Sequence, residues 1–224
     1  MPLLLHIETA VEGASLCLSD GPEIIGFAEN PSQKDSAAWV QPGIQDLLHK
    51  SGVRLQQLAA VSVSAGPGSY TGLRVGLSSA KGLCYALGIP LLTISTLKMM
   101  AVAAQSQEVD LLCPMIDARR MEVFAAVYNK ELAEVVAPHN RILDGDSFSD
   151  LLQKERVCFF GNGSPKFAHL VNNPHALFVP VLADARCMVP LALQSFDTKA
   201  FADLAYAEPY YGKEFFSTHM KSKS

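Results

Sequence analysis

The order of apolar runs in the sequence predicts an α/β protein of two similar units. Three observations carry that expectation. Three strand-like runs precede any helical pattern at the N-terminus; a strand, a Gly-Pro-Gly turn and a helical pattern follow one another between Leu58 and Leu87; and the strand-turn-strand pattern restarts near residue 106. With 224 residues, 49% of them hydrophobic, the chain can bury a substantial core.

Leu3-Leu4-Leu5-His6-Ile7 reads as a buried strand, Glu8 to Gly13 as a polar turn, and Ala14 to Ser19 as a returning strand closed by Asp20-Gly21-Pro22. Ile24 to Ala28 supplies a third strand. An antiparallel ribbon before any helix suits an RNase H-like unit better than a simple doubly wound sheet. From Ser36, available as an N-cap, Val40, Ile44, Leu47 and Leu48 recur at helical spacing, with Pro42 in the first turns and Gly52 as the stop. Leu58 to Ala65 is a buried strand. Beyond it, Ser69 or Thr71 can cap a helix whose one face carries Leu73, Leu77, Ala80, Cys84 and Leu87, ended by Gly88-Ile89-Pro90 and followed by the strand Leu91 to Ile94.

The second unit opens with strand Leu111 to Ile116, turn Asp117-Ala118-Arg119-Arg120 and strand Met121 to Tyr128. Val157 to Phe160 followed by Gly161-Asn162-Gly163 repeats the strand-to-glycine-turn theme, and Leu191 to Tyr206 reads as a closing helix. The division expected is an N-terminal lobe, 1–105, carrying partner-binding helices, and a smaller C-terminal lobe, 106–224, whose tail from Lys213 is polar and frayed.

Net charge is −4, so the chain lacks an overall positive field to draw in nucleic acid by itself. Five separated cysteines without a CxxC pair read as reduced core residues. The N-terminal apolar run has no basic region before it and no cleavage site after it, and no apolar stretch reaches spanning length, so the cytoplasm is the expected compartment. The six histidines show no HxxxH or HExxH spacing, and no serine lies in a G-x-S-x-G elbow, which argues against a metal site and a nucleophilic hydrolase.

The run Gly66-Pro67-Gly68-Ser69-Tyr70-Thr71-Gly72-Leu73-Arg74 is the most informative segment. A glycine-rich strand-to-helix turn attracts anions through backbone N–H groups, yet this one matches neither the P-loop nor the dinucleotide fingerprint. Close packing is the better reading, because three glycines inside a helix cost about 3 kcal/mol against alanine unless something approaches them tightly. Glu8 and Glu12 are expected to be solvated turn residues, the alternative being a magnesium-nucleotide contact. Arg119 and Arg120 read equally as an anion contact, through paired guanidinium hydrogen bonds, or as a charged turn.

The long run from Gly66 to Leu83, taken with the Leu3 to Leu18 hairpin, Ser36 to Leu48, Gly88-Ile89-Pro90, Asp117 to Arg120 and Glu208-Pro209-Tyr210-Tyr211, resembles the TsaB family of tRNA threonylcarbamoyladenosine biosynthesis subunits, once grouped with glycoproteases. The resemblance implies two RNase H-like lobes of the actin and sugar-kinase (ASKHA) type with mixed sheets flanked by helices. It implies a non-catalytic subunit supporting a TsaD-like catalytic paralogue and a TsaE-like ATPase in forming N6-threonylcarbamoyladenosine at A37, a homodimer when alone, and tRNA met only indirectly. It further implies no cofactor bound by this chain alone, with ATP or ADP expected at the boundary of the complex. The paralogue's metal-binding histidines would fall at Thr96 and Met100, so no metal site is expected. Asp35-Ser36 and Met121 depart from the family's usual histidine and glycine. In the family the first-lobe helices meet the paralogue, which implicates Val40, Ile44, Leu47, Leu73, Gly76, Leu77 and Ala80 in a helix-bundle interface. A small-molecule kinase or nucleotide-binding protein of the same fold is the main alternative, and a protease the second.

Overall fold

The structure, a computed structural model, describes residues 1–32 and 35–212. Strands β1 (Leu3–Glu8), β2 (Ala14–Asp20) and β3 (Glu23–Asn30) make the antiparallel ribbon, with Leu5 opposite Leu18 and Leu16 opposite Ala28. β4 (Ala60–Gly66) joins β1 in parallel and β5 (Leu91–Ser95) joins β4, giving the order β3-β2-β1-β4-β5. The second sheet repeats the pattern with β6 (Leu111–Asp117), β7 (Glu122–Tyr128), β8 (Glu134–Ile142), β9 (Val157–Phe160) and β10 (Ala176–Phe178) in the order β8-β7-β6-β9-β10. The expected two-lobed α/β fold is therefore what the chain adopts.

Helices α1 (Ser36–Lys50) and α2 (Tyr70–Leu87) cover the outer face of the first sheet, closing a core with Leu5, Ile7, Leu16, Leu18, Val61 and Val63. Both stop where the sequence says they should: Gly52 (φ 66°) follows α1, and Gly88 (φ 65°) caps α2 in the left-handed region. Asp35, not Ser36, holds the capping position of α1, and Pro42 is its seventh residue rather than part of its first turn. Ala38, whose carbonyl Pro42 cannot bond, is on the exposed side of the helix.

Between the sheets, α3 (Thr96–Ala103), a 3-10 turn (Ala185–Met188) and α6 (Val189–Asp197) fill a shared core with Leu4, Cys17 and Leu92 on one side and Leu112, Tyr128 and Phe160 on the other. The outer face of the second sheet has only the short α4 (Ser149–Leu152) and α5 (Ser164–Ala168), over Phe148, Phe159, Phe167 and Phe178 with ring centroids 4.9–6.0 Å apart. All five cysteines are unpaired, four of them buried. No helix among the described residues is long and apolar enough to cross a membrane.

The closing helix is shorter than its apolar pattern suggests. It ends at Asp197 because Ser195 and Thr198 turn their hydroxyls back onto the Leu191 and Gln194 carbonyls, and Lys199 then takes φ 55°. The chain continues as an irregular strap along the first lobe: Ala202 N donates to Leu91 O (2.9 Å) and Tyr210 N to Ala65 O (2.7 Å). Residues 185–210 thus pack on the first sheet although they follow the second in sequence. The polar tail expected from Lys213 lies outside the described residues.

Candidate functional site

The glycine-rich turn between β4 and α2 is filled by the chain itself. Ser69 caps α2, its Oγ accepting from Gly72 N (3.3 Å), while Ser69 N donates to Ala10 O (2.7 Å) and Thr9 Oγ1 donates to Gly72 O (2.7 Å). A Cβ at Gly72 would overlap the Thr9 carbonyl oxygen, and one at Gly76 would overlap Thr9 Oγ1. These two glycines therefore admit the β1–β2 turn, and two of the amides that could cradle an anion, Ser69 N and Gly72 N, are already bonded to Ala10 O and Ser69 Oγ. Gly82 is different, with open space where its side chain would be.

That distinction corrects the expected interface. Val40, Ile44, Leu47, Leu73, Gly76, Leu77 and Ala80 are all buried within this chain, so they hold α1 and α2 to their own sheet and offer no surface to a partner. The helical periodicity marked the right face; that face meets the core. The exposed surface of the two helices is the opposite one, carrying Gln41 and Gln45 on α1 and Ser78, Gly82 and Tyr85 on α2, with Tyr85 83% exposed. The same side of α1 also exposes Asp46, His49 and Lys50. Along its border, Arg74 lies 4.1 Å over the Tyr70 ring and donates to Tyr211 Oη (2.9 Å), and Lys81 Nζ donates to the Ala205 and Ala207 carbonyls (3.2 and 3.1 Å), so the strap frames the face.

Glu8 is not a solvated turn residue. It is 1% exposed, and its Oε1 accepts from Ala10 N (2.6 Å) and Val11 N (3.2 Å). Burial pushes its carboxyl up to about 7, against the opposing pull of those amides and of Ser64. On the same strand and face, His6 bridges Ser62 Oγ (2.7 Å) and Ser19 Oγ (2.9 Å) with no exposure, and burial holds its imidazole down at about 3. Sequence reasoning placed Glu8 in solvent and gave His6 no role; the signal was a polar residue at every second position of an otherwise apolar strand. A histidine between two serines invites comparison with a nucleophilic pair, but no substrate reaches a fully buried hydroxyl.

Glu12 is exposed and lines a cleft of about 490 Å3 between the lobes with Val11, Met100, Asn162, Val181 and Leu182. Among the described residues, no lysine or arginine lines it. Among the described residues no three His, Cys, Asp or Glu side chains stand together as a metal site. Thr96 and Met100 are instead structural: Thr96 Oγ1 accepts from Gly66 N (3.2 Å), and Met100 packs in the inter-sheet core.

Arg119 and Arg120 form the β6–β7 turn, both exposed and both with left-handed φ, 70° and 48°. Asp117 beside them accepts from Lys166 Nζ (2.6 Å) and Arg119 N (2.6 Å).

A family model described as TsaD, tRNA N6-adenosine threonylcarbamoyltransferase, matches residues 24–207. The Bacillus subtilis tRNA threonylcarbamoyladenosine biosynthesis protein TsaB is 32% identical over 76% of this chain and 75% of its own length. The Escherichia coli protein of the same name is 30% identical over 93% of each. A Pseudomonas aeruginosa crystal structure, described by its similarity to the peptidase YeaZ, superposes with a TM-score of 0.81 at 24% identity, over 95% of this chain and all of that one.

Proposed function

We propose that this chain, which belongs to the TsaB family of tRNA threonylcarbamoyladenosine biosynthesis proteins, acts in that modification as a non-catalytic subunit docked on a TsaD-like paralogue. The observation that carries the reading is the outer face of α1 and α2. It presents Gln41, Gln45, Ser78 and Tyr85 beside the charged Asp46 and Lys50, and at Gly82 a helix backbone lies bare. A second helix can approach closely only at such a place.

The match of this chain to the TsaD model supports the choice of occupant, since a paralogue built on the same units presents the same pair of helices and the two pairs can pack as a four-helix bundle. A second copy of this chain would use the same face when the paralogue is absent. In this reading the chemistry belongs to the partner, and here the carboxylate nearest the first turn is buried on backbone amides. A TsaE-like ATPase, with ATP or ADP, belongs at the boundary of the assembled complex in this reading.

The test separates the two faces of α2. Gly82→Leu fills the open groove without touching the core, and is expected to weaken association with the paralogue at least tenfold by titration calorimetry while leaving the isolated chain folded, with a melting temperature no lower than that of the native chain. Unchanged affinity would remove this face from the interface.

A further inference from the structure

We infer that the Arg119–Arg120 turn is a direct phosphate contact for the RNA substrate of the complex, an inference that rests on the tRNA-modification reading above. Two consecutive residues of a strand connection at positive φ are the natural place for Asn and Gly, because side chains in the left-handed region clash with their own backbone. Here two arginines occupy it, at φ 70° and 48°. Each loses about 1 kcal/mol or more to that conformation, and two adjacent guanidiniums repel one another. A charge needed only for solubility would be as useful a residue away, in unstrained backbone. Strain of this kind persists where the side chains are needed at that point.

Both side chains are exposed, and neither guanidinium has a hydrogen-bond or ion-pair partner among the described residues. The nearby carboxylates are occupied: Asp117 is paired with Lys166, and Glu122 Oε1 accepts from Asn140 Nδ2 (2.8 Å). Asp117 also holds Arg119 N, so the acid shapes the turn from below and leaves the arginines facing outward. The location agrees with a shared substrate. Tyr211 packs on Tyr70 at the start of α2 (centroids 5.0 Å), and a Cβ on the next residue, Gly212, would meet the Phe124 ring, which places the end of β7 beside the N-terminal end of the docking helix. RNA held by the partner across that end would meet the turn. With a net charge of −4 the chain does not attract RNA as a whole, so any contribution has to come from a local group of cations such as this pair.

The experiment uses the assembled complex of this chain with its TsaD-like paralogue and a tRNA carrying adenosine at position 37. Affinity is measured against salt concentration for the native chain, for Arg119→Gln/Arg120→Gln and for Arg119→Gly/Arg120→Gly. Both variants should flatten the dependence of log K on log salt by about 1 to 2 units. The glycine variant should at the same time raise the melting temperature, because the turn relaxes; a purely structural turn would not lose RNA affinity while gaining stability. An unchanged salt slope in an intact complex overturns the inference alone. Loss of assembly in the glutamine variant, with the slope unchanged in what does assemble, assigns the turn to a protein contact and also overturns it. Absence of any complex with the native chain, seen by light scattering before RNA is added, overturns the functional reading and this inference with it.

Discussion

The two lobes share one strand order and differ in what covers it. In the first, the connections on either side of β4 are helices of 15 and 18 residues; in the second, those beside β9 hold helices of 4 and 5. The same contrast appears at the turns that open the two sheets. The β1–β2 turn is buried under α2, with Glu8 on backbone amides and Thr9 against Gly72, whereas the β6–β7 turn has no long helix above it and holds its arginines in solvent. A repeated topology has been put to two uses: one copy builds a helical face, the other a compact aromatic core with an exposed basic turn.

The largest effect expected from this comparison is at Gly72. Gly72→Leu should leave no folded population by circular dichroism, since overlap with a fixed turn carbonyl exceeds the few kcal/mol by which such domains are stable, about 5 or more. A folded Gly72→Leu chain would mean that α2 is not seated on the first turn. In the second lobe, Phe159→Ala should destabilise by about 3 to 5 kcal/mol in urea titration, as loss of a fully buried ring does. Because α3 and α6 join both sheets in one core, a single transition is expected; two would show that the lobes fold apart.

Glu8 gives the pH test. Its carboxyl is raised from 4.5 to about 7 in the folded chain, so between those values the folded state keeps a proton that the unfolded state has released, and stability falls as pH rises through that window. His6 runs the other way, since the unfolded chain protonates below 6.5 and the folded one not until about 3, so stability also falls as pH drops from 6.5. Glu8→Gln keeps the acceptor for Ala10 and Val11 and should abolish the first slope only. Its advantage over the native chain should grow by on the order of 3 kcal/mol between pH 4.5 and 8. An equal slope in both would place the titration elsewhere. The smallest effect is at Gly82, where Gly82→Ala should stabilise the isolated chain by up to about 1 kcal/mol in thermal melts, the gain expected in an uncrowded helix interior.

Much of the fold was legible in local chemistry. The N-terminal ribbon, the cap at Ser69 and the helix stops at Gly52 and Gly88 were read from residues that act within a turn of themselves. β8 and β10 were not read, because the first is a half-exposed edge strand and the second has only three residues. The site was harder for a physical reason. Apolar periodicity marks which face of a helix is buried, not whether its own sheet or another chain buries it, so Leu73 and Leu77 could not be assigned without the fold. Nor could Glu8 be known as buried, since its partners are amides that only the folded turn directs inward. The arginines of the β6–β7 turn were visible, but their left-handed backbone was not.

The claim most open to direct test is the proposed docking face of the first lobe. The direct measurement is light scattering on a size-exclusion column of this chain alone, then mixed with its TsaD-like paralogue. A heterodimer that replaces any self-dimer, and that fails to form with Gly82→Leu, is the expected result. Unchanged elution of the native chain on mixing would contradict it.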